Sequence, residues 1–279
     1  MVIKRNKLSE KDVVKSTPYP NTISSLKHDF ETVGVKPGSV IIMHSSLSKI
    51  GWTVGGPVAV IEAILQILTK EGTLIMPTFT GDNSEPSYWE NPPVPESWWE
   101  IIRNEMPAYS PQITPTRGVG IIADTFSRWP GVLRSNHPLS SFAARGKNAK
   151  FITRNHELLV DLGEGSPLSR IYDLDGFVLL VGVSHQNNSS LHLAEYRSDY
   201  PNKQRRLNGS AMLVNNKRKW VEWEELDLNS DDFKQLGLAF EASINYIPKK
   251  VGSAQTRILS QKEIVDFAVD WFKNNRKAS

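Results

Sequence analysis

The sequence contains no cysteine. Disulfides, thiolate metal sites, iron–sulfur clusters and a cysteine nucleophile are therefore excluded. It also lacks a long apolar run: the longest compact one, Phe177–Val183, falls far short of a bilayer span. Met1–Asp12 is polar and charged, without the apolar core of a signal peptide. Together these absences predict a cytoplasmic protein with no membrane partner. Charge of one sign is scarce as well. The 33 Lys+Arg against 30 Asp+Glu leave +3, too little to argue for nucleic acid. Several catalytic signatures are missing. Without a Walker loop or a G-x-G-x-x-G fingerprint, a standard nucleotide or dinucleotide module is disfavoured. Without G-x-S-x-G, so is a serine hydrolase of the usual kind. His44, His137, His156, His185 and His192 show no short metal-ligand spacing, and no metal is expected. His156 and His185 read as loop or surface residues.

What is present is ordinary globular composition, 39% hydrophobic and 23% charged over 279 residues. A chain of that length can bury a core without staples. Its first half reads as α/β. A helix is predicted over Asn21–Val33, capped by Thr22 or Asn21 and ended by Gly34. Val40–Met43 is a buried strand running into His44-Ser45-Ser46-Leu47-Ser48. Gly55-Gly56-Pro57 then opens a buried helix that reaches Lys70, and Thr73–Met76 is the next strand. Strand, helix and strand make a βαβ unit, so the sheet is expected to be partly parallel and covered by helices.

Residues 81–115 change character, with Trp89, Trp98, Trp99 and six prolines from Pro86 to Pro111. Little regular structure is expected before Trp98. Two readings stand: a clamp that packs aromatics on the core, or a substrate wall or lid whose acidic side chains face a cationic ligand. Gly118–Trp129 is predicted as a helix, Phe177–Val183 as a core strand, and Leu191–Tyr196 as the first turns of a helix. Residues 209–226 read as a hairpin whose basic turn, Lys217–Lys219, is a solvated tip. Asp232–Ile244 and Gln261–Lys273 read as amphipathic helices.

Two constellations carry chemistry. His192 and Glu195 stand at i and i+3, on one face of a helix. A carboxylate beside an imidazole raises its basicity and fixes its tautomer. The pair is a general base if the histidine faces a cleft, and a packing or capping pair if it does not. The loop His44–Gly56, leading into a helix start, is either an anion cradle or a plain glycine-rich connection.

Several segments, taken in order, resemble the antibiotic N-acetyltransferases of the aminoglycoside 3-N-acetyltransferase type. They are Met43–Leu47 with Gly55-Gly56, Gly72–Thr80, Pro130–Val132, Arg134–Pro138, Ser141–Ala144, Gly165–Pro167, Asp175–Val183, Ser190–Glu195, Trp220–Glu222 and Val265–Ala268. The resemblance implies a single elaborated α/β domain with a mixed, partly parallel central sheet flanked by helices, distinct from the common small acetyltransferase fold. It assigns residues 18–274 to that domain, 1–17 to an N-terminal extension and 275–279 to a tail. It implies acetyl-coenzyme A as cofactor and a small-molecule amine, an aminoglycoside or similar polyamine, as acceptor. His192 becomes the base and Glu195 its support. His44, Ser45, Ser46, Leu47, Gly55, Gly56 and Thr78 fall to the cofactor, and a hydroxyl or N–H near Ser46 or Thr78 to the developing oxyanion. Asp82, Glu85 and Glu222 are the acidic groups expected to attract a cationic acceptor. Many relatives pair as homodimers, which sets the same expectation here. Thr116–Gly120 departs from the usual pattern by carrying Arg117. That departure keeps a non-antibiotic amine open as acceptor, beside another coenzyme A enzyme, a hydrolase and a non-catalytic binder.

Overall fold

The computed structural model describes residues 9–276. Among the described residues nine strands form two sheets. The main sheet contains β1 (Val40–Ser45), β2 (Thr73–Pro77), β3 (Leu133–Arg134), β4 (Phe142–Gly146), β5 (Phe177–Val181), β8 (Lys249–Val251) and β9 (Ala254–Ser260). Their spatial order is β3-β4-β2-β1-β5-β9-β8. The three central strands are parallel, β1 pairing with β2 on one side and β5 on the other. The flanking strands run antiparallel to their inner neighbours. A separate antiparallel ribbon joins β6 (Arg205–Val214) to β7 (Lys217–Leu226) through Asn215 and Asn216, both at positive φ.

Helices cover both faces, as a parallel centre requires. Alternate residues of each strand enter opposite cores. Val40, Ile42, Ile75, Val178 and Leu180 pack under α7 (Ala149–Thr153), α8 (Pro167–Asp173), α9 (Ser190–Arg197), α10 (Phe233–Ser243) and α11 (Gln261–Asn275). Ile41, Met43, Leu74, Met76, Leu179 and Val181 pack under α2 (Ile23–Val33), α4 (Gly56–Leu68) and α6 (Ile121–Ser127). Thr22 and Ser25 form a capping box at the start of α2, and Gly34 ends it at φ 123°. Two shorter helices, α1 (Glu10–Ser16) and α3 (Leu47–Ile50), border the loop after β1, and α5 (Trp99–Glu105) lies in the 81–115 segment. Of residues 1–17 and 275–279, those numbered 1–8 and 277–279 lie outside the described residues.

Several expectations are corrected. The helix predicted over Gly118–Trp129 spans only Ile121–Ser127, because Gly118 and Gly120 take φ of 75° and 84° and form a turn. The hairpin tip is not merely solvated: Arg218 donates to the carbonyls of Met106 and Arg103, fastening the tip to the 81–115 segment. His156 and His185 are buried, not superficial. His156 binds the Ser135 hydroxyl and the Asp161 carbonyl, and His185 binds Glu241.

The 81–115 segment is fixed at both ends. Tyr88 donates to the Leu207 carbonyl and the Tyr109 N–H to Ala211, both on β6. Arg134 secures the other end. Its Nε reaches the hydroxyls of Thr78 and Ser141 at 3.1 and 3.0 Å, and its Nη atoms reach the carbonyls of Thr78 at 2.7 Å and Thr114 at 2.6 Å. Its guanidinium also lies over the Tyr109 ring. Burial lowers the Arg134 pKa, yet the group keeps its charge through these acceptors. Replacing Arg134 with Met leaves those acceptors without their donor, so a loss of about 2–4 kcal/mol is expected. Chemical denaturation checks this, and a loss under about 0.5 kcal/mol, the usual surface range, removes Arg134 from that role.

Candidate active site

In an open α/β sheet a ligand crevice forms at the carboxyl ends of parallel strands, where successive connections diverge. Here that position is the end of β1, between β2 and β5. A cavity of about 370 Å³ opens there. Its wall takes Met43, His44, Ser45 and Ser46 from β1 and its loop, Pro77 and Phe79 from β2, and Val183 from beyond β5. Gly118–Gly120 closes one side, and His192 of α9 closes another.

Only the first half of α9 faces this cavity. His192 Nδ1 lies 2.5 Å from Glu195 Oε2, and Glu195 is fully buried while the His192 side chain is 17% exposed. The spacing of three residues brings both onto one face. Glu195 is itself held from the other side. Its Oε1 accepts from Arg276 Nη1 at 2.6 Å and from the Asn229 N–H at 3.1 Å. Arg276 in turn binds Asp232 through Nε and Nη2, each at 2.8 Å, and packs over Phe272 and Tyr200. A chain of side chains therefore runs His192–Glu195–Arg276–Asp232. The carboxylate on Nδ1 selects the tautomer that leaves the Nε2 lone pair free.

His44 shares the cavity. It is buried, its Nε2 has no partner among the described residues, and its pKa is lowered to about 3 by burial and then by the nearby charge of His192. It is a neutral polar wall at physiological pH.

Beyond Ser45, Ser46 and Gly120 the cavity meets a second one of about 470 Å³, lined by Leu47, Ser48, Gly51–Thr53, Gly56 and Ile121. Gly56, the first residue of α4, lines it, with its N–H given to the Thr53 carbonyl. Gly55 caps that helix at φ 79°. On the opposite side of Val183 lies a cavity of about 290 Å³ with a cationic wall of Lys49, Lys234 and Arg257. Thr78, by contrast, does not reach the groove. It is fully buried, and its hydroxyl is held by Ser141 and Arg134.

A larger cavity of about 550 Å³ lies beside the 81–115 segment. Asp82 lines it, together with Tyr88, Trp89, Arg117, Leu139, Ser140, Asp161, Arg206, Asn208 and Glu225. Neither of the other acidic residues expected from the sequence lines it. Glu85 is bound by Arg103 at 2.5 and 3.0 Å. Burial works to raise its carboxyl, but the hydrogen bonds to Arg103 and Ser87 hold it below the ordinary range. Glu222 is exposed on β7. Asp161 and Glu225 take their place. Asp161 accepts from the hydroxyls of Ser140 and Tyr196, each at 2.7 Å. Glu225 accepts from Arg206, Asn208 and Trp223, and burial, then the charge of Asp161, raises its pKa. Tyr196 lies one turn beyond His192, so α9 supports both cavities.

Sequence reasoning missed Asp161, Glu225, Tyr196 and Arg276. The one usable signal was helical periodicity: Tyr196 stands at i+4 from His192. Nothing local marks Arg276, which sits 81 residues from Glu195.

This geometry has the following counterparts. Residues 42–273 match the family described as aminoglycoside 3-N-acetyltransferase. YokD of Bacillus subtilis (strain 168), an SPbeta prophage-derived aminoglycoside N(3')-acetyltransferase-like protein, is 46% identical over 267 residues, covering 95% of this chain and 97% of that one. The crystal structure of YokD matches with a TM-score of 0.92 at 45% identity, over 95% of this chain and 98% of the other. Aminoglycoside N(3)-acetyltransferase IX of Micromonospora chalcea is 30% identical, over 97% and 100% of the two chains. The structure of AAC-IIIb in a binary complex with CoASH matches with a TM-score of 0.84 at 27% identity, over 94% and 99%. The chain belongs to the aminoglycoside 3-N-acetyltransferase family. It is an acetyltransferase with that family's α/β fold, distinct from the common small acetyltransferase fold. Among the described residues no helix is long and apolar enough to cross a membrane.

The histidines make the fold acid-sensitive. Burial lowers the pKa of His44, His137, His156 and His185. Below about pH 6.5 the unfolded chain protonates these imidazoles while the folded one does not. The unfolded state then binds more protons, and stability falls as pH falls. Each histidine contributes at most about 1.4 kcal/mol per pH unit. Thermal unfolding midpoints should therefore drop steadily from pH 7 to pH 5. A flat profile across that window contradicts the burial of these rings as neutral groups.

Proposed function

We propose that this acetyltransferase uses acetyl-coenzyme A to acetylate an amine of an aminoglycoside or a similar amino compound, with His192 as general base. The observation that carries this reading is the His192–Glu195 pair, set in a cavity wall with a second carboxylate-bearing cavity close by. A relative's complex with CoASH and the names of the relatives supply the cofactor and the class of acceptor.

The residues present fit such a cofactor. Ser45, Ser46, Leu47 and Gly56 line an extended groove beside the start of α4. Lys49 and Lys234 supply positive charge of the kind phosphates require, while Arg257 beside them is paired with Glu241. The bound cofactor supplies an acetyl group activated as a thioester. The chain's residues prepare the acceptor. An alkylammonium has no free electron pair, so it must first lose a proton. His192 Nε2 takes that proton directly or through one water, and Glu195 stabilises the imidazolium through Nδ1. Arg276 and the Asn229 N–H keep Glu195 from turning away. Neutral His44 adds no positive charge where an ammonium must enter. No cysteine is available to carry an acetyl group, and we read the transfer as direct from thioester to amine, with an ester on Ser45 or Ser46 as the alternative.

His192→Ala should cut kcat by at least ~100-fold while leaving the thermal midpoint near that of the parent. Near-parental turnover in that variant sinks the base assignment. The phosphate wall has its own test. A Lys49→Met, Lys234→Met double variant should raise KM for acetyl-coenzyme A about tenfold, equivalent to ~1.4 kcal/mol. It should leave KM for the phosphate-free acetyl-pantetheine thioester unchanged. Equal KM values for acetyl-coenzyme A before and after the change remove those lysines from the cofactor site.

A further inference from the structure

The 550 Å³ cavity does not carry the charge that a polycation would select. Its wall holds three carboxylates, Asp82, Asp161 and Glu225, and two guanidinium groups, Arg117 and Arg206. Glu225 is bound by Arg206 at 3.0 Å, and Asp82 by Arg117 at 3.0 Å. Only Asp161 faces the cavity with hydroxyl partners alone. The wall is left with about one net negative charge.

The two arginines are not equivalent. Arg206 is fixed by Glu225, by Asp227 at 3.3 Å and by the Tyr88 ring. Its charge is matched by carboxylates on its own ribbon. Arg117 stands at a boundary. Its N–H donates to the Phe79 carbonyl, and Phe79 and the adjacent Gly118 both line the His192 cavity. Its Nη1 reaches Asp82, and its Nη2 reaches the Asn91 carbonyl at 3.0 Å. The side chain thus lies in the wall of the 550 Å³ cavity, while its backbone borders residues that line the His192 cavity. Arg117 and Asp82 are 52% and 63% exposed, so the pair is solvated and can open to a ligand at small cost.

We propose that Arg117 is a specificity-determining residue that discriminates against polycationic acceptors. It does so by occupying Asp82 and by placing a guanidinium in the wall of the 550 Å³ cavity, which we read as the acceptor's. This rests on the acetyl-transfer reading above and narrows it: the favoured acceptor is an amine of low net positive charge. Selectivity is a difference of affinities, and a repulsive group sets it as effectively as an attractive one.

The test compares a polycationic aminoglycoside with a monoamino sugar as acceptors. Arg117→Met should lower KM for the polycation about tenfold and steepen its dependence on ionic strength. KM for the monoamino sugar should move less than about twofold, and kcat should hold for both. Arg117→Lys should restore parental selectivity because it restores the charge. Asp82→Asn in the Arg117→Met background should abolish the gain. An unchanged or raised KM for the polycation in Arg117→Met overturns the proposal. So does a parallel rise for both acceptors, which marks Arg117 as a brace for Asn91. Calorimetric titration of both amines reads the same selectivity without turnover. A parent enzyme that binds amines but acetylates none refutes the transfer reading and leaves this discrimination measurable.

Discussion

The buried carboxylate of Glu195 is the constraint on which the site depends. A carboxylate taken fully out of water is costly unless its oxygens are matched. Here one oxygen faces an imidazole and the other a guanidinium and a backbone N–H. That arrangement ties three parts of the chain together: α9, the loop before α10, and the end of α11. It also explains why Arg276 is so heavily engaged. Burial works against its charge, and the hydrogen bonds to Asp232 and Glu195 outweigh that penalty and raise its pKa. A rigid support matters for a base, because a hydrogen-bond acceptor is useful only when its lone pair points where the proton will be.

The sheet places a cavity in front of His192. Three parallel strands end together, and their continuing loops supply His44–Ser46, Phe79 and Val183 to one cavity. The antiparallel flanks and the β6–β7 ribbon do a different job. They carry Asn208 and Glu225 and anchor the 81–115 segment through Leu207, Ala211 and Arg218. The segment is thus both a clamp and a wall. Tyr109 packs into the fold and bonds to the Ser135 carbonyl, while Tyr88 and Trp89 line a cavity. The clamp reading describes one end of the segment, and the substrate-wall reading belongs to the proposed function.

Local pattern made much of this legible. The βαβ unit, the Gly34 stop and the His192–Glu195 spacing all depend on residues a few positions apart. Periodicity and turn chemistry report such relations directly. The failures share a cause. Glu85 reads as a free acid, yet Arg103 lies beside it across the segment. Thr78 reads as a groove hydroxyl, yet Arg134 and Ser141 bury it. His185 reads as superficial, yet α10 covers it: a Cβ on Gly237 would sit 1.9 Å from its ring. In each case the deciding partner is distant in sequence, and composition carries no trace of it.

The same reasoning bears on how charge is organised around the reaction. An aliphatic amine arrives as a cation and must become neutral before it reacts, so its site has two opposed demands. Carboxylates draw the ammonium in, but a carboxylate too close to the nitrogen holds the proton there. The structure separates these demands in space. Asp82, Asp161 and Glu225 line one cavity, whereas the other carries His192 and a neutral His44, with Glu195 shielded behind the imidazole. On the proposed reading, the carboxylate nearest the reacting position acts through a proton carrier instead of on the amine. α9 enforces that division, because one turn of helix aims His192 at one cavity and Tyr196 at the acid of the other.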